Sequence, residues 1–390
     1  MASLSFADLI YPLSPERFFA EFWEQEHFSS PLLTLEQLLN LPSPEDLNSL
    51  IYSIKLSESE LVSISRSSDV LPSNAYLTAE SIAMTAVQDA QQAGYTISLA
   101  RLEKRWPTVG ELSREIERAF FHHGYLLSEH VGASLFLMPA NARVAPSECE
   151  QDLFIIQLAG AGVWRVEAQA NTKGAYKIDM NQGRVLYVPR GCSADFATNE
   201  NHSLHLLLYV HPYTWADLIV RLAQLDPRLR ELLPSVDWSD DCSSSAFINC
   251  YKHRIGCLKE VSHVSEVATD ARNNLLTSLD HLPEDGFRQI QALDSIGLNT
   301  AVARRSGALS QVSRSTDSFY LRLPGSGFKG SNSMEPVFRF LAETNSFAVS
   351  ELPNVLSPEA KIELVRGLVG EGLLKVITRV NDIATRSPAE

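Results

Sequence analysis

The side chains whose types could do chemistry gather in the middle of the chain: Ser147-Glu148-Cys149-Glu150, then Cys192, Asp195 and His205. Thiolate and imidazole are soft or borderline donors, so Cys149, Cys192 and His205 offer a surrogate site suited to zinc or copper. The plainer reading makes both thiols small buried hydrophobes and His205 a hydrogen-bonded core residue. Side chains alternate along an extended strand, which turns Glu148 and Glu150 away from the face that carries Ser147 and Cys149. A second set, Cys250, His253 and Cys257 with Cys242 nearby, recurs at a spacing that would share one helix face. It matches no paired C-x-x-C zinc pattern, and a scattered apolar face explains it equally well. His122-His123 before Gly124 reads as a helix C-terminus, where the macrodipole favours a cation.

The elements that must position these residues change in texture along the chain. Residues 1–128 read as a mainly helical flank. Ser14-Pro15-Glu16 and Ser43-Pro44-Glu45 are helix starts with Ser as N-cap and Pro at the first helical position. Thr108 is expected to cap a helix over Val109–Phe121, whose Leu112, Ile116 and Phe120 recur at helical spacing. Residues 129–213 read as short apolar strands, Ser134–Met138, Leu153–Leu158, Gly162–Val166, Arg184–Val188 and Leu204–Val210, broken by Gly, Pro and Asn turns. That pattern predicts a β-barrel or sandwich. Residues 214–290 turn helical again. Residues 291–390 hold strand-like pieces at Ala308–Val312 and Ser318–Leu323, then short helices and a strand over Leu373–Ile377.

Composition narrows the function classes. The chain has 390 residues, 33 basic and 47 acidic, for a net charge of -14. Nonspecific binding to nucleic acid or anionic lipid needs clustered Lys and Arg, which this balance disfavours. No apolar run is long enough to span a bilayer, and the N-terminus lacks the basic start of a secretory signal. Five scattered cysteines are no disulfide framework, and a reducing cytoplasm is the simplest setting.

Several segments together resemble the bacterial cupin-4 branch of the JmjC family, which includes ribosomal-protein histidine and arginine hydroxylases. They are Leu153-Phe-Ile-Ile-Gln-Leu-Ala-Gly160, Val163-Trp-Arg-Val166, Leu186-Tyr-Val-Pro-Arg-Gly191, Ser203-Leu-His-Leu206 and His211-Pro-Tyr-Thr-Trp-Ala-Asp217. Phe22-Trp-Glu24, Leu102–Pro107 and Phe338–Val376 extend the likeness outward. The resemblance implies a double-stranded β-helix core with flanking helices, dimerising helices between Thr214 and Leu282, and a C-terminal winged-helix-like unit. It also implies Fe(II) held by two His and a carboxylate, with 2-oxoglutarate as co-substrate.

At the site itself this sequence departs from the pattern the resemblance supplies. The first two metal ligands fall on Ser147 and Cys149 and the third on Ala194. The residue expected to grip the distal carboxylate of 2-oxoglutarate falls on Gly162. A methyl group cannot coordinate iron, and glycine cannot make a charged hydrogen bond, which contributes about 1.5–3 kcal/mol. These positions are therefore read as vestigial, with no catalytic residue, no metal and no cofactor expected, and the leading expectation is an inactive oxygenase-like partner of a peptide or protein. The alternatives are a 2-oxoglutarate/Fe(II) protein hydroxylase with relocated ligands and a small-molecule-binding barrel. Between Ser333 and Val376 six Glu stand against four Lys or Arg. That balance suits a protein-interaction module better than a DNA reader. A homodimer with no direct contact to nucleic acid or membrane completes the expectation.

Overall fold

A computed structural model describes residues 4–66, 69–78, 82–168, 175–225, 264–278, 291–305, 308–314 and 318–377, with Pro227, Lys252, His253 and Gly256 as isolated positions. Two units are defined, Met1–Tyr213 and Thr214–Glu390. Cys242, Cys250 and Cys257, and much of the helical segment expected after Thr214, lie outside the described residues.

The first unit is built on two antiparallel sheets. Its strands are β1 (Phe28–Ser29), β2 (Val62–Arg66), β3 (Asp69–Val70), β4 (Thr96–Leu99), β5 (Gly132–Met138), β6 (Arg143–Glu148) and β7 (Asp152–Ala159). They continue with β8 (Ala161–Glu167), β9 (Tyr176–Asn181), β10 (Val185–Val188), β11 (Ser193–Thr198) and β12 (Ser203–Val210). The larger sheet has the order β1-β10-β7-β12-β5-β4-β2-β3 and the smaller one β6-β11-β8-β9. From β5 to β12 the core strands alternate between the two sheets except at the β8-β9 hairpin, which stays in the smaller one, so the chain winds as a double-stranded β-helix, the JmjC/cupin architecture with flanking helices.

Burial on both faces sets the sequence of the central strands. In β7 and β12 nearly every residue is buried, which is why Leu153–Leu158 and Leu204–Leu208 read as continuous apolar runs. Leu153 and Ile155 enter the interior shared with Trp164, Val166, Ala194, Phe196 and Leu207. Phe154 faces the other way, with its ring centroid 5.8 Å from Phe18 and 5.1 Å from Tyr187.

The N-terminal helices close that outer face. They are α1 (Phe6–Ile10), α2 (Pro15–Glu21), α3 (Leu35–Leu38), α4 (Pro44–Tyr52), α5 (Met84–Gln92) and α6 (Pro107–His122). Ser14 caps α2 by accepting from the Arg17 N–H, with Pro15 in the first turn. This aims Phe18 and Phe19 at the rings of Phe6, Phe120 and Phe154. Such edge-to-face pairs add about 0.5–1.5 kcal/mol each beyond the area they bury. The helix expected from Thr108 starts earlier, with Pro107 in its first turn after Trp106, because proline's fixed φ and missing N–H suit that position.

The second unit contains α7 (Trp215–Leu225), α8 (Val264–Ser278), β13 (Ala301–Arg304), β14 (Gln311–Arg314), β15 (Ser318–Leu323) and β16 (Ser326–Ser331). It ends with α9 (Glu335–Glu343), β17 (Ser346–Ala348), α10 (Pro358–Gly370) and β18 (Leu374–Val376). β13 lies between β17 and β18, and β14-β15-β16 form a separate meander. Val302, Phe319, Leu321, Phe338, Leu341 and Leu368 share one core. The strand expected over Ala308–Val312 runs instead over Gln311–Arg314, since turn residues precede it.

A buried carboxyl pins the N-terminal flank to the barrel. Asp152 is fully buried. Its Oδ1 accepts from the Tyr187 hydroxyl at 2.6 Å, and that hydroxyl accepts from the Glu24 N–H at 3.0 Å. Arg190 closes the circuit through an ion pair to Glu24 at 2.6 Å. Asp152 Oδ2 has no hydrogen-bond partner among the described residues. Burial pushes the Asp152 carboxyl up from 3.8 to about 7, against the pull of the Tyr187 hydrogen bond. The folded state therefore holds a proton that the unfolded chain releases at lower pH, so this group's contribution falls as pH rises from about 4 to 7. Asp152→Asn should remove that slope and gain on the wild type by about 2–4 kcal/mol between pH 5 and 8. Urea unfolding of both proteins across that range measures the difference.

Candidate functional site

The smaller sheet carries the positions singled out from the sequence. In β8 the side chains of Gly162, Trp164 and Val166 turn inward, and in β11 those of Ala194 and Phe196 do the same. Register then sets the neighbours: Ser147 lies directly across from Ala194, and Ala194 across from Val166. The structure therefore brings Ser147 and Ala194 together. Gly191, at φ 76°, donates its N–H to the Cys149 carbonyl at 2.7 Å, and the Cys149 N–H donates to Cys192 at 2.8 Å. This glycine bulge sets Cys149 beside Cys192.

The donor set does not fit a ferrous centre. Ala194 offers a methyl group. Both cysteines are free and buried. Burial pushes the Cys149 thiol up to about 11, with smaller contributions from Cys192, Asp152 and Glu148, and burial raises the Cys192 thiol as well. A thiol is a metal ligand as its thiolate, the form that burial disfavours at both positions. Ser147, Glu148 and Glu150 are exposed. Among the described residues, no group of three or more His, Cys, Asp or Glu side chains is arranged to hold a metal ion.

His205 is not brought into a donor set with the two cysteines. Its ring stacks on Phe136 at 5.5 Å and 8° and meets Phe196 edge-on at 5.0 Å. Among the described residues its side chain makes one hydrogen-bond contact, with the Ser203 hydroxyl 3.4 Å from Nδ1. Complete burial drives its pKa down to about 3, so the ring is neutral and part of an aromatic core. Asp195, on the outward side of β11, pairs with Arg165 at 2.8 Å.

Position 162 is closed by a neighbour that sequence reasoning missed. A Cβ at Gly162 would lie 2.3 Å from Phe196 Cζ and 2.8 Å from the Ala197 carbonyl oxygen. The Phe196 ring occupies the space a longer side chain at 162 would need. The sequence carries a signal for it: Phe196 is two residues beyond Ala194 in a strand, and so shares its inward face. Two further polar residues went unread. Gln157 is fully buried and donates to Ser203 Oγ at 2.8 Å, while its Oε1 and the Trp164 Nε1 lack partners among the described residues. A buried water satisfies groups of this kind.

Fold and site together define a protein of the JmjC/cupin barrel class. No protein-family model matches this chain. It is 25% identical over 234 residues to a bifunctional lysine-specific demethylase and histidyl-hydroxylase NO66 of Branchiostoma floridae, which covers 57% of this chain and 35% of that protein. The chain thus spans about a third of the length of that curated relative. Among solved structures it is similar to the Escherichia coli ribosomal oxygenase YcfD. One YcfD structure, in complex with cobalt and 2-oxoglutarate, gives a TM-score of 0.49 at 15% identity, covering 94% of this chain and 98% of YcfD. Another, in complex with cobalt and succinic acid, gives the same values.

These comparisons correct the expectation that no cofactor is involved. The similar oxygenases were solved with cobalt and with 2-oxoglutarate or succinic acid, and the curated relative is named a hydroxylase and demethylase. Those groups are what the similar structures hold, and the expectation of no cofactor does not stand against them. Ser147, Cys149, Ala194 and Gly162 do not reproduce a site for those groups in the places the resemblance assigns.

Steric closure at 162 can be read in stability. Gly162→Ala should lower the unfolding free energy by about 1–3 kcal/mol through overpacking. In a Phe196→Leu background the same change should lower it by less, because the ring has gone. A double-mutant cycle by urea denaturation measures this coupling, and additive losses would show that the ring is not the obstacle.

Proposed function

We propose that this chain is a JmjC/cupin oxygenase-like protein that binds a peptide or protein without hydroxylating it. The observation carrying this reading is the inward row Ala194, Phe196 and Gly162. It puts a methyl group, a phenyl ring and a glycine where an oxygenase needs a ligand, an open co-substrate pocket and a cation. Trp215 and Ile219 on α7 are exposed and lie one turn apart, an apolar stripe that suits a homodimer contact. The C-terminal unit acts in this reading as a winged-helix-like protein-interaction module. Lys361 on α10 donates to the Ser350 carbonyl and to Asn354, and Arg366 pairs with Glu363, so both cations have partners within the unit. Free buried thiols at Cys149 and Cys192 suit a reducing cytoplasm. No helix among the described residues is long and apolar enough to cross a membrane.

A second reading is favoured by the similarity to a named hydroxylase. The chain would be a 2-oxoglutarate-dependent protein hydroxylase whose metal is held by ligands other than those the resemblance assigns.

Two measurements separate these readings. Under the first, the purified protein turns over no 2-oxoglutarate with iron and ascorbate, and Ser147→His, Cys149→Asp and Ala194→His together raise iron retention in metal analysis. Succinate release by the wild type, lost on chelation, would establish the second reading instead. For the oligomer, Trp215→Ser should shift sedimentation from dimer to monomer at micromolar concentration, and an unchanged profile would remove α7 from the contact.

A further inference from the structure

The chain's charge is unevenly distributed. From Ala301 to Met334 there are five Lys or Arg (Arg304, Arg305, Arg314, Arg322, Lys329) and a single Asp, against 28 basic and 46 acidic residues elsewhere. Arg304 and Arg305 donate to backbone carbonyls of their own unit. The other three lie on the β14-β15-β16 meander, and none has a carboxylate partner among the described residues.

Register places Arg322 and Lys329 around one aromatic ring, while Arg314 lies over Phe319, 5.7 Å from its centroid. Tyr320 pairs with Ser313 on β14 and Lys329 on β16, so the three side chains share a face opposite the buried Phe319 and Leu321. The Arg322 guanidinium lies 5.2 Å and the Lys329 ammonium 5.6 Å from the Tyr320 ring centroid. Arg322 also donates to Ser313 Oγ at 3.2 Å, which fixes the guanidinium without neutralising it. Arg314 stands exposed at the end of β14. Hydrogen bonds from the Ser318 hydroxyl and then the Lys329 ammonium hold the Tyr320 phenol below its usual range.

We propose that this face of the meander, centred on Tyr320, Arg322 and Lys329, docks a short acidic segment of a protein partner. The chemistry favours carboxylate side chains on a peptide over a polynucleotide. Both cations already lie within 6 Å of the Tyr320 ring centroid, where they compete with a base that would stack on it. A nucleic-acid strand would also extend from these few cations toward a chain that is acidic overall, whereas a short peptide needs only two or three charges met. Tyr320 and Arg322 are half-buried and Lys329 is exposed, so the charges are reachable. The proposal rests on the protein-binding reading above but involves a separate unit of the fold.

The test uses the full chain and fluorescence anisotropy with short labelled probes: a Glu/Ser peptide, a Gly/Ser peptide, a Lys/Ser peptide and an oligouridylate. The Glu/Ser peptide should bind, weaken as salt rises, and lose about ten-fold or more in affinity in the Arg322→Gln, Lys329→Gln double variant. Lys329→Gln alone should give a smaller loss, and unchanged thermal melting confirms that both variants fold. Metal retention and 2-oxoglutarate turnover, which read the barrel, are measured on the same double variant and should match the wild type, so a failure at the meander is distinguishable from a failure of the barrel reading. Equal binding of the Glu/Ser and Gly/Ser peptides, or full retention by the double variant, would overturn the proposal. So would tighter binding of the oligouridylate than of the Glu/Ser peptide at the same residues.

Discussion

β7 and β12 are buried on both faces, and the rest of the first unit follows from that constraint. A strand with no solvated face needs a covering layer on each side. On one side the cover is the ring cluster of Phe6, Phe18, Phe19 and Phe120, delivered by helices that start at Ser-Pro caps and at Pro107. On the other it is the smaller sheet, whose inward residues are Trp164, Val166, Ala194 and Phe196. The fold is maintained by apolar contact on both sides and asks no donor set of the interior.

That dryness accounts for the titration behaviour of three groups caught inside. Desolvation disfavours the charged form, so it raises the acids and lowers the base: Cys149 to about 11, Asp152 to about 7, His205 to about 3. Shifts of this size often mark catalytic sites, but here the neighbours decide otherwise. His205 is packed among Phe136, Trp164 and Phe196. Asp152 is tied to Tyr187 in the contact that holds the N-terminal flank. These are groups neutralised by packing.

Much of this was legible in the sequence, for identifiable reasons. The doubly buried strands announced themselves as continuous apolar runs, and the caps at Ser14 and Ser43 as Ser-Pro-Glu. Ser147, Cys149 and Ala194 were singled out through the family resemblance alone, and what the structure adds is that Ser147 and Ala194 are register partners. Three features were hidden. The buried role of Asp152 depends on Glu24 and Tyr187, remote in sequence. β13 is four residues with one buried side chain, too short for any periodicity. The basic face of the meander is spread over three strands, and only their pairing gathers it, so a search for charged runs passes over it.

The closure at 162 shows why the departures at this site belong together. Gly162 and Phe196 draw on the same volume: the ring fits because the glycine has no Cβ, and a Cβ there would sit 2.3 Å from the ring. A long cation at 162 and a phenyl group at 196 are therefore mutually exclusive in this register. The ring also forms part of the wall around His205 and packs against Trp164 at 5.0 Å. Replacing Gly162 with a cation thus opens no pocket by itself, since the charge would enter an aromatic core that cannot solvate it. The glycine at 162 and the ring at 196 are two aspects of one steric arrangement, so a longer side chain at 162 requires a smaller one at 196.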